Sequence, residues 1–183
     1  MSTVQSGALS RLAALLQERG GVIATLLVHE DTQPVPEGDH GPSPGPAQLA
    51  ASGPRASADP AEYELLVEAI YEGYLLHYRT PRLLRTTEAD LALLAGDQLY
   101  ALGLARLVGL GDVAAVAELA DVITLCALAH GGGHPELAQE VWRAGAYAIG
   151  WGASGAHQRG KELARAGSSE ALPAMRVAAT SAR

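Results

Sequence analysis

The chain has 183 residues, 48% of them hydrophobic and 18% charged, which suits one domain with a real core and an extra segment. A formal net charge of −7 argues against non-specific nucleic-acid binding, which relies on Lys and Arg to displace counterions. Cys126 is the single cysteine, so no internal disulfide can form; it lies in an apolar run, where a buried, inert thiol is expected.

Taken from the N-terminus, Leu9, Leu12, Leu15 and Leu16 recur at helical spacing, and Gly20-Gly21 stops or turns that helix. Residues 22–28 are short and apolar, and periodicity does not separate strand from helix there. No basic region, apolar core and cleavage site open the chain, so no signal peptide is expected. Residues 31–58 are rich in Pro, Gly, Ser and Ala and read as a flexible linker between an N-terminal helical segment, 1–30, and an α-helical domain, 59–165. The domain opens on Asp59 as N-cap with Pro60 in the first turn, and a helix over 61–78 follows. Thr87 to Asp90 has the form of a capping box before a helix over 91–108. Asp112 caps a helix over 113–129, and Pro135 starts one to about 149. Residues 166–183 read as a flexible tail. The fold class is therefore all-α: a helical bundle with short loops and no hairpin signal.

Residues 91–110, LALLAGDQLYALGLARLVGL, are apolar on nearly every face but interrupted by Asp97, Gln98 and Arg106. Residues 113–129 carry Glu118 and Asp121. A bilayer span needs about 20 apolar residues almost free of charge, so neither is expected to cross a membrane, and a soluble, cytoplasmic protein is expected.

The LAGD tetrapeptide of Leu94, Ala95, Gly96 and Asp97, followed by Tyr100 and by Leu110-Gly111-Asp112, is similar to a landmark of the trans-isoprenyl diphosphate synthases, the polyprenyl synthetase family. Pro81 stands where that family's RRGxPT loop has its proline. In that register the first Asp-rich motif, DDxxD, falls on Glu68-Ala69-Ile70-Tyr71-Glu72. The resemblance implies an isoprenoid-synthase-like bundle in which Glu68 and Glu72, at i and i+4, could hold Mg²⁺ from one helix face. It also implies that Arg79, Arg82 and Arg85 around Pro81 could receive a diphosphate. The chemistry is reduced: Ala69 replaces a carboxylate, His77 and Tyr78 stand where the diphosphate-clamping arginines belong, and the second Asp-rich motif would lie in helices the chain lacks. A three-Mg²⁺ ionisation site needs both clusters.

Without that resemblance, Glu64, Glu68 and Glu72 read as the solvated stripe of an amphipathic helix. His130 to His134 reads as a helix stopped by Gly131 and restarted at Pro135, and Trp142 reads as core. The resulting expectation is a non-catalytic isoprenoid-synthase-like protein. It would be an accessory or oligomeric subunit, self-associating or joined to a larger prenyl synthase, with a groove for a prenyl chain or partner helix. The alternatives are a minimal Mg²⁺-dependent prenyl diphosphate enzyme and a helical interaction module unrelated to isoprenoids. A structure in which Glu68 and Asp97 do not face one cavity favours the last.

Overall fold

A computed structural model describes residues 3–28 and 44–180, and among these every regular element is helical. The helices are α1 (Thr3–Arg19), α2 (Gly21–Thr25), α3 (Pro46–Ala51), α4 (Pro60–Tyr78), α5 (Ala89–Gly109), α6 (Val113–Gly131), α7 (Pro135–Trp151), α8 (Gly155–Arg165) and α9 (Ala171–Ala178), with a 3-10 turn at Pro54–Ala56. Their ends follow from local chemistry. The Asp59 carboxylate accepts from the Glu62 amide at 3.1 Å with Pro60 inside the first turn, and Asp112 caps α6 through the Ala115 amide at 3.0 Å. Gly111 and Gly133 turn the chain after α5 and α6 with φ of +77° and +76°. The capping box at Thr87 does not form, because α5 starts at Ala89 behind Glu88, whose side chain makes no capping bond.

Two apolar clusters meet on α4 and α5. The larger joins α3, the 3-10 turn, α4 and α6 to α9, with Leu66, Ile70, Leu119, Leu125, Trp142 and Met175 deep inside. The smaller joins Leu12, Leu16 and Ile23 to Leu65, Leu76, Leu84, Leu99 and Leu102. Glycines bring helices together at closer range than any other residue allows. A Cβ at Gly73 would stand 2.9 Å from the Gly96 carbonyl oxygen, and one at Gly150 would stand 2.7 Å from that of Ala50.

Two sequence expectations are corrected here, and a point left open is filled in. Residues 46–58 are not linker: α3 and the 3-10 turn bury Ala47, Ala50 and Ala56 against α4 and α7. The sequence hid this because burial at such a contact needs only a Cβ on one side and a glycine on the other, and neither raises local hydropathy. Residues 31–43 of that expected linker lie outside the described residues. Residues 171–178 are not a loose tail either, since α9 buries Ala171, Met175 and Ala178. The 22–28 segment docks as well. Leu27 pairs with Leu84 in an isolated antiparallel bridge, flanked by Val28 N–H to Leu83 C=O at 3.0 Å and Arg85 N–H to Leu26 C=O at 2.8 Å.

On length and composition both α5 and α6 reach what a membrane crossing requires, with window mean hydropathies of 1.4 and 1.7. Their charges are partly engaged inside the molecule: Arg106 pairs with Glu62 at 2.6 Å and Glu118 with Lys161 at 2.8 Å. About a third of the α5 window is buried, against α4.

The Gly150 contact sets a measurable scale. Gly150→Ala is expected to cost about 2–3 kcal/mol in urea unfolding, the upper part of the overpacking range, because the opposing atom is backbone. Gly7→Ala, with nothing near its added methyl in α1, is expected to stabilise by about 0.5–1 kcal/mol.

Candidate functional site

Glu68 and Glu72 lie on α4 one turn apart, as their spacing requires, but they are not a solvated stripe. Glu68 is 4% exposed and Glu72 is fully buried. The loop after α4 folds back so that Arg82 reaches both carboxylates. Its Nη2 bonds Glu68 Oε1, and its Nε bonds Glu72 Oε2 at 3.3 Å. Glu72 Oε1 also accepts the backbone amides of Arg82 at 2.7 Å and Leu83 at 2.6 Å. The guanidinium lies 5.1 Å from the Tyr71 ring centroid, a cation–π contact. Burial pushes the Glu68 carboxyl up, against the pull of Arg82; burial also works against the Arg82 charge, but the two carboxylates raise its pKa. A divalent cation would have to displace a fixed internal cation and strip Glu72 from two amides. The arrangement therefore acts as a lock joining α4 to the loop that receives the N-terminal segment. Glu64, the third member of the stripe, pairs with Arg11 of α1 at 2.8 Å.

The other two arginines take different places. Arg79 is the exposed C-cap residue of α4 and acts on Tyr74 and His130; Arg85 is exposed, with its backbone tied to Leu26. With Arg82 spent on carboxylates, the three do not form a diphosphate clamp.

Gly96, Asp97 and Tyr100 gather around His77. A Cβ on Gly96 would collide with the His77 ring, so the glycine of LAGD is required by the α4–α5 crossing. Tyr100 stacks on His77 with centroids 5.2 Å apart. The Asp97 carboxylate stands 3.2 Å from His77 Nε2, with its side chain 67% exposed. Glu68 is nine residues N-terminal to His77 on the same helix, about 13 Å along the axis, and is buried beneath Arg82. Glu68 and Asp97 do not share a cavity.

Further along the same face, Tyr78 stacks on His130 at 4.3 Å, and the Tyr74 hydroxyl contacts His130 Nε2 at 3.1 Å. Trp142 packs edge-on to Tyr71 and Tyr74. Burial and then the nearby Arg79 lower the His130 pKa. Cys126 is buried, its Sγ 3.6 Å from the Ala138 carbonyl oxygen, and burial pushes the thiol up. That is an unreactive thiol.

The densest polar cluster was missed by sequence reasoning. Glu118 of α6 accepts from His157 Nε2 at 2.5 Å and from Lys161 Nζ at 2.8 Å; Lys161 also reaches Asp121 at 2.8 Å, and Asp121 reaches Arg165 at 2.5 Å. Glu118, His157 and Lys161 are all buried. Burial works against the Glu118 and Lys161 charges, yet the hydrogen bonds of His157 and Lys161 hold the Glu118 carboxyl below the usual carboxylate range. Because a carboxylate only accepts, Nε2 carries the ring proton there; His157 Nδ1 is buried without a partner. One available signal was the spacing of His157, Gly160, Lys161 and Ala164, which is that of a buried helical stripe, obscured by two polar residues.

A second missed network centres on Asp112. Its carboxylate accepts from the Tyr63 hydroxyl at 2.7 Å and from Arg55 at 3.1 Å, while Arg55 Nε reaches the Ile149 carbonyl oxygen at 3.2 Å. Burial, and then the bond to Asp112, pushes the Tyr63 pKa up to about 12. A cavity of about 70 Å³ lies between Arg55, Glu118, Ile149 and Gly152. That is well below the roughly 300–1,000 Å³ of small-molecule pockets. No group of three or more potential metal ligands occurs among the described residues. Comparison with protein-family models, curated proteins and solved structures finds no match to this chain.

Proposed function

We propose that this chain is a non-catalytic helical protein that works by association with another polypeptide, its Glu68–Glu72 pair serving as a structural lock. The observation that carries this reading is Arg82, which occupies both carboxylates where a cation would have to sit. Support for association comes from α5. Its inner face is spent on α4, whereas Leu94 is 65% and Val108 60% exposed, with Leu93, Leu110 and Val113 exposed nearby in sequence. Leu94 and Val108 lie about 21 Å apart along α5, so both ends of its outer face are apolar and open to a partner.

A more specific form of the same reading, an accessory subunit of a larger prenyl synthase, rests on the Glu68–Glu72, Pro81 and LAGD register alone, and the separation of Glu68 from Asp97 favours a module unrelated to isoprenoids over it. The close packing at Gly96 gives that glycine a role without isoprenoid chemistry, so the general reading does not depend on the specific one.

Calorimetric titration of the purified chain with Mg²⁺ and farnesyl diphosphate tests the non-catalytic part. No saturable heat and no turnover are expected. Mg²⁺-dependent binding that disappears in Glu68→Gln would return the minimal-enzyme reading.

A further inference from the structure

Tyr71, Tyr74 and Tyr78 fall at i, i+3 and i+7 on α4 and so share one helix face. Their rings follow one another with centroids 5.8 and 5.6 Å apart, and Trp142 of α7 closes on the first two at 5.0 and 5.6 Å. At the other end Tyr78 lies flat on His130 and 5.7 Å from His77, which stacks on Tyr100. Four of the six tyrosines and one of the two tryptophans thus form a continuous array, from buried Trp142 to half-buried Tyr78 and Tyr100.

The members differ in what the loss of an electron would meet. Oxidised Trp142 would have no base to take its proton, because its Nε1 is buried without a hydrogen-bond partner among the described residues. Tyr71 has the Arg82 guanidinium 5.1 Å from its ring centroid, and a fixed cation opposes positive charge on that ring. Tyr74 is buried too, but its hydroxyl stands 3.1 Å from His130 Nε2. Burial pushes the Tyr74 pKa up, so the phenol keeps its proton at rest; burial and then Arg79 lower that of His130, leaving a neutral imidazole to accept it. We propose that Tyr74 is a one-electron redox site, oxidised to a neutral tyrosyl radical by a diffusible radical oxidant that meets the array at Tyr78 or Tyr100. The electron leaves along the stacked rings, and the phenolic proton crosses to His130 Nε2, giving an imidazolium. A peroxyl radical as oxidant gains that electron and takes a proton from solvent to leave as a hydroperoxide. An enediol reductant such as ascorbate returns the electron and loses its own proton to solvent, while the His130 proton moves back to the phenolic oxygen. The outer face of α5 plays no part in this chemistry.

Flash oxidation of the purified native chain with photogenerated tris(bipyridine)ruthenium(III) tests the site, read by transient absorption and electron paramagnetic resonance. A tyrosyl radical that forms more slowly in heavy water is expected. Tyr74→Phe keeps the ring and removes the phenol, and His130→Phe keeps a ring on Tyr78 and removes the base; both should lose the signal. A native chain without a tyrosyl radical, or a signal unchanged in either folded variant, overturns the proposal. Should the variants fail to fold by circular dichroism, the native chain is oxidised in the presence of nitric oxide, which is small enough to reach a buried radical, and its peptides are mapped. Adducts concentrated on Tyr74 support the redox site. Adducts concentrated on any other tyrosine, such as Tyr63 or Tyr147 outside the array, or no adducts at all, overturn it.

Discussion

Arg82→Ala is expected to destabilise the fold by about 3–5 kcal/mol, because removing the one cation leaves two buried carboxylates without their counter-ion. The loss should appear as a lower urea midpoint at unchanged slope. Arg82→Lys should recover only part of it, since a single ammonium cannot fork across two carboxylates as a guanidinium does. Restoring stability to Arg82→Ala should then require removing charge, so Glu68→Gln in that background is expected to be stabilising, although the same change weakens the native lock. A cation site would behave otherwise: Arg82→Ala would be tolerated, and Mg²⁺ would stabilise it. The side of the molecule that responds is also specified. Because Arg82 and Leu83 lead directly into the Leu84 bridge, hydrogen exchange should rise first in α1, α2 and residues 82–85.

Glu118→Ala is expected to cost about 2–3 kcal/mol, by leaving His157 Nε2 without its acceptor inside the molecule and Lys161 with Asp121 as its remaining partner. Glu118→Gln keeps the shape and tests the charge through pH. Glu118, Asp121 and Asp112 have folded-state pKa values below their ordinary ones. Each therefore contributes stability that is present above the ordinary carboxyl range and lost as pH falls through the lowered folded value, below about pH 4. Glu68 runs the other way: with its pKa raised, its contribution is fully present below the ordinary range and lost as pH rises. Lys161, raised by Asp121 and Glu118 against burial, contributes below about pH 10.5 and loses that contribution as pH climbs through its folded value. Thermal melts from pH 7 to pH 2.5 should show the acid loss in the native chain and a shallower one in Glu118→Gln. An unchanged acid limb would mean the network carries no charge-dependent stability.

Much of the central architecture was legible in the sequence, and for identifiable reasons. The α4, α6 and α7 helices could be placed from Asp59-Pro60, Asp112 and Pro135 because caps and first-turn prolines act locally. What failed depended on partners distant in sequence. Ala47, Ala50 and Ala56 look like linker residues until Gly150 and α7 come up against them. Glu68 and Glu72 look solvated until the loop beyond Pro81 returns an arginine ten to fourteen residues away. His157 and Lys161 lie some forty residues from Glu118, and nothing in either local sequence announces the other. The LAGD element was read as a family landmark, but helix packing accounts for its glycine, which is held by the α4–α5 crossing, and its aspartate lies at the surface beside His77.

Association is the central claim, and the mass of the native chain in solution tests it most directly. Size-exclusion chromatography with light scattering at tens of micromolar should give at least twice the 18.9 kDa of one chain, falling to a single folded copy in Leu94→Glu, Val108→Glu. A native chain of 18.9 kDa throughout, indistinguishable from that variant, would contradict self-association through α5 and leave only a partner of different sequence.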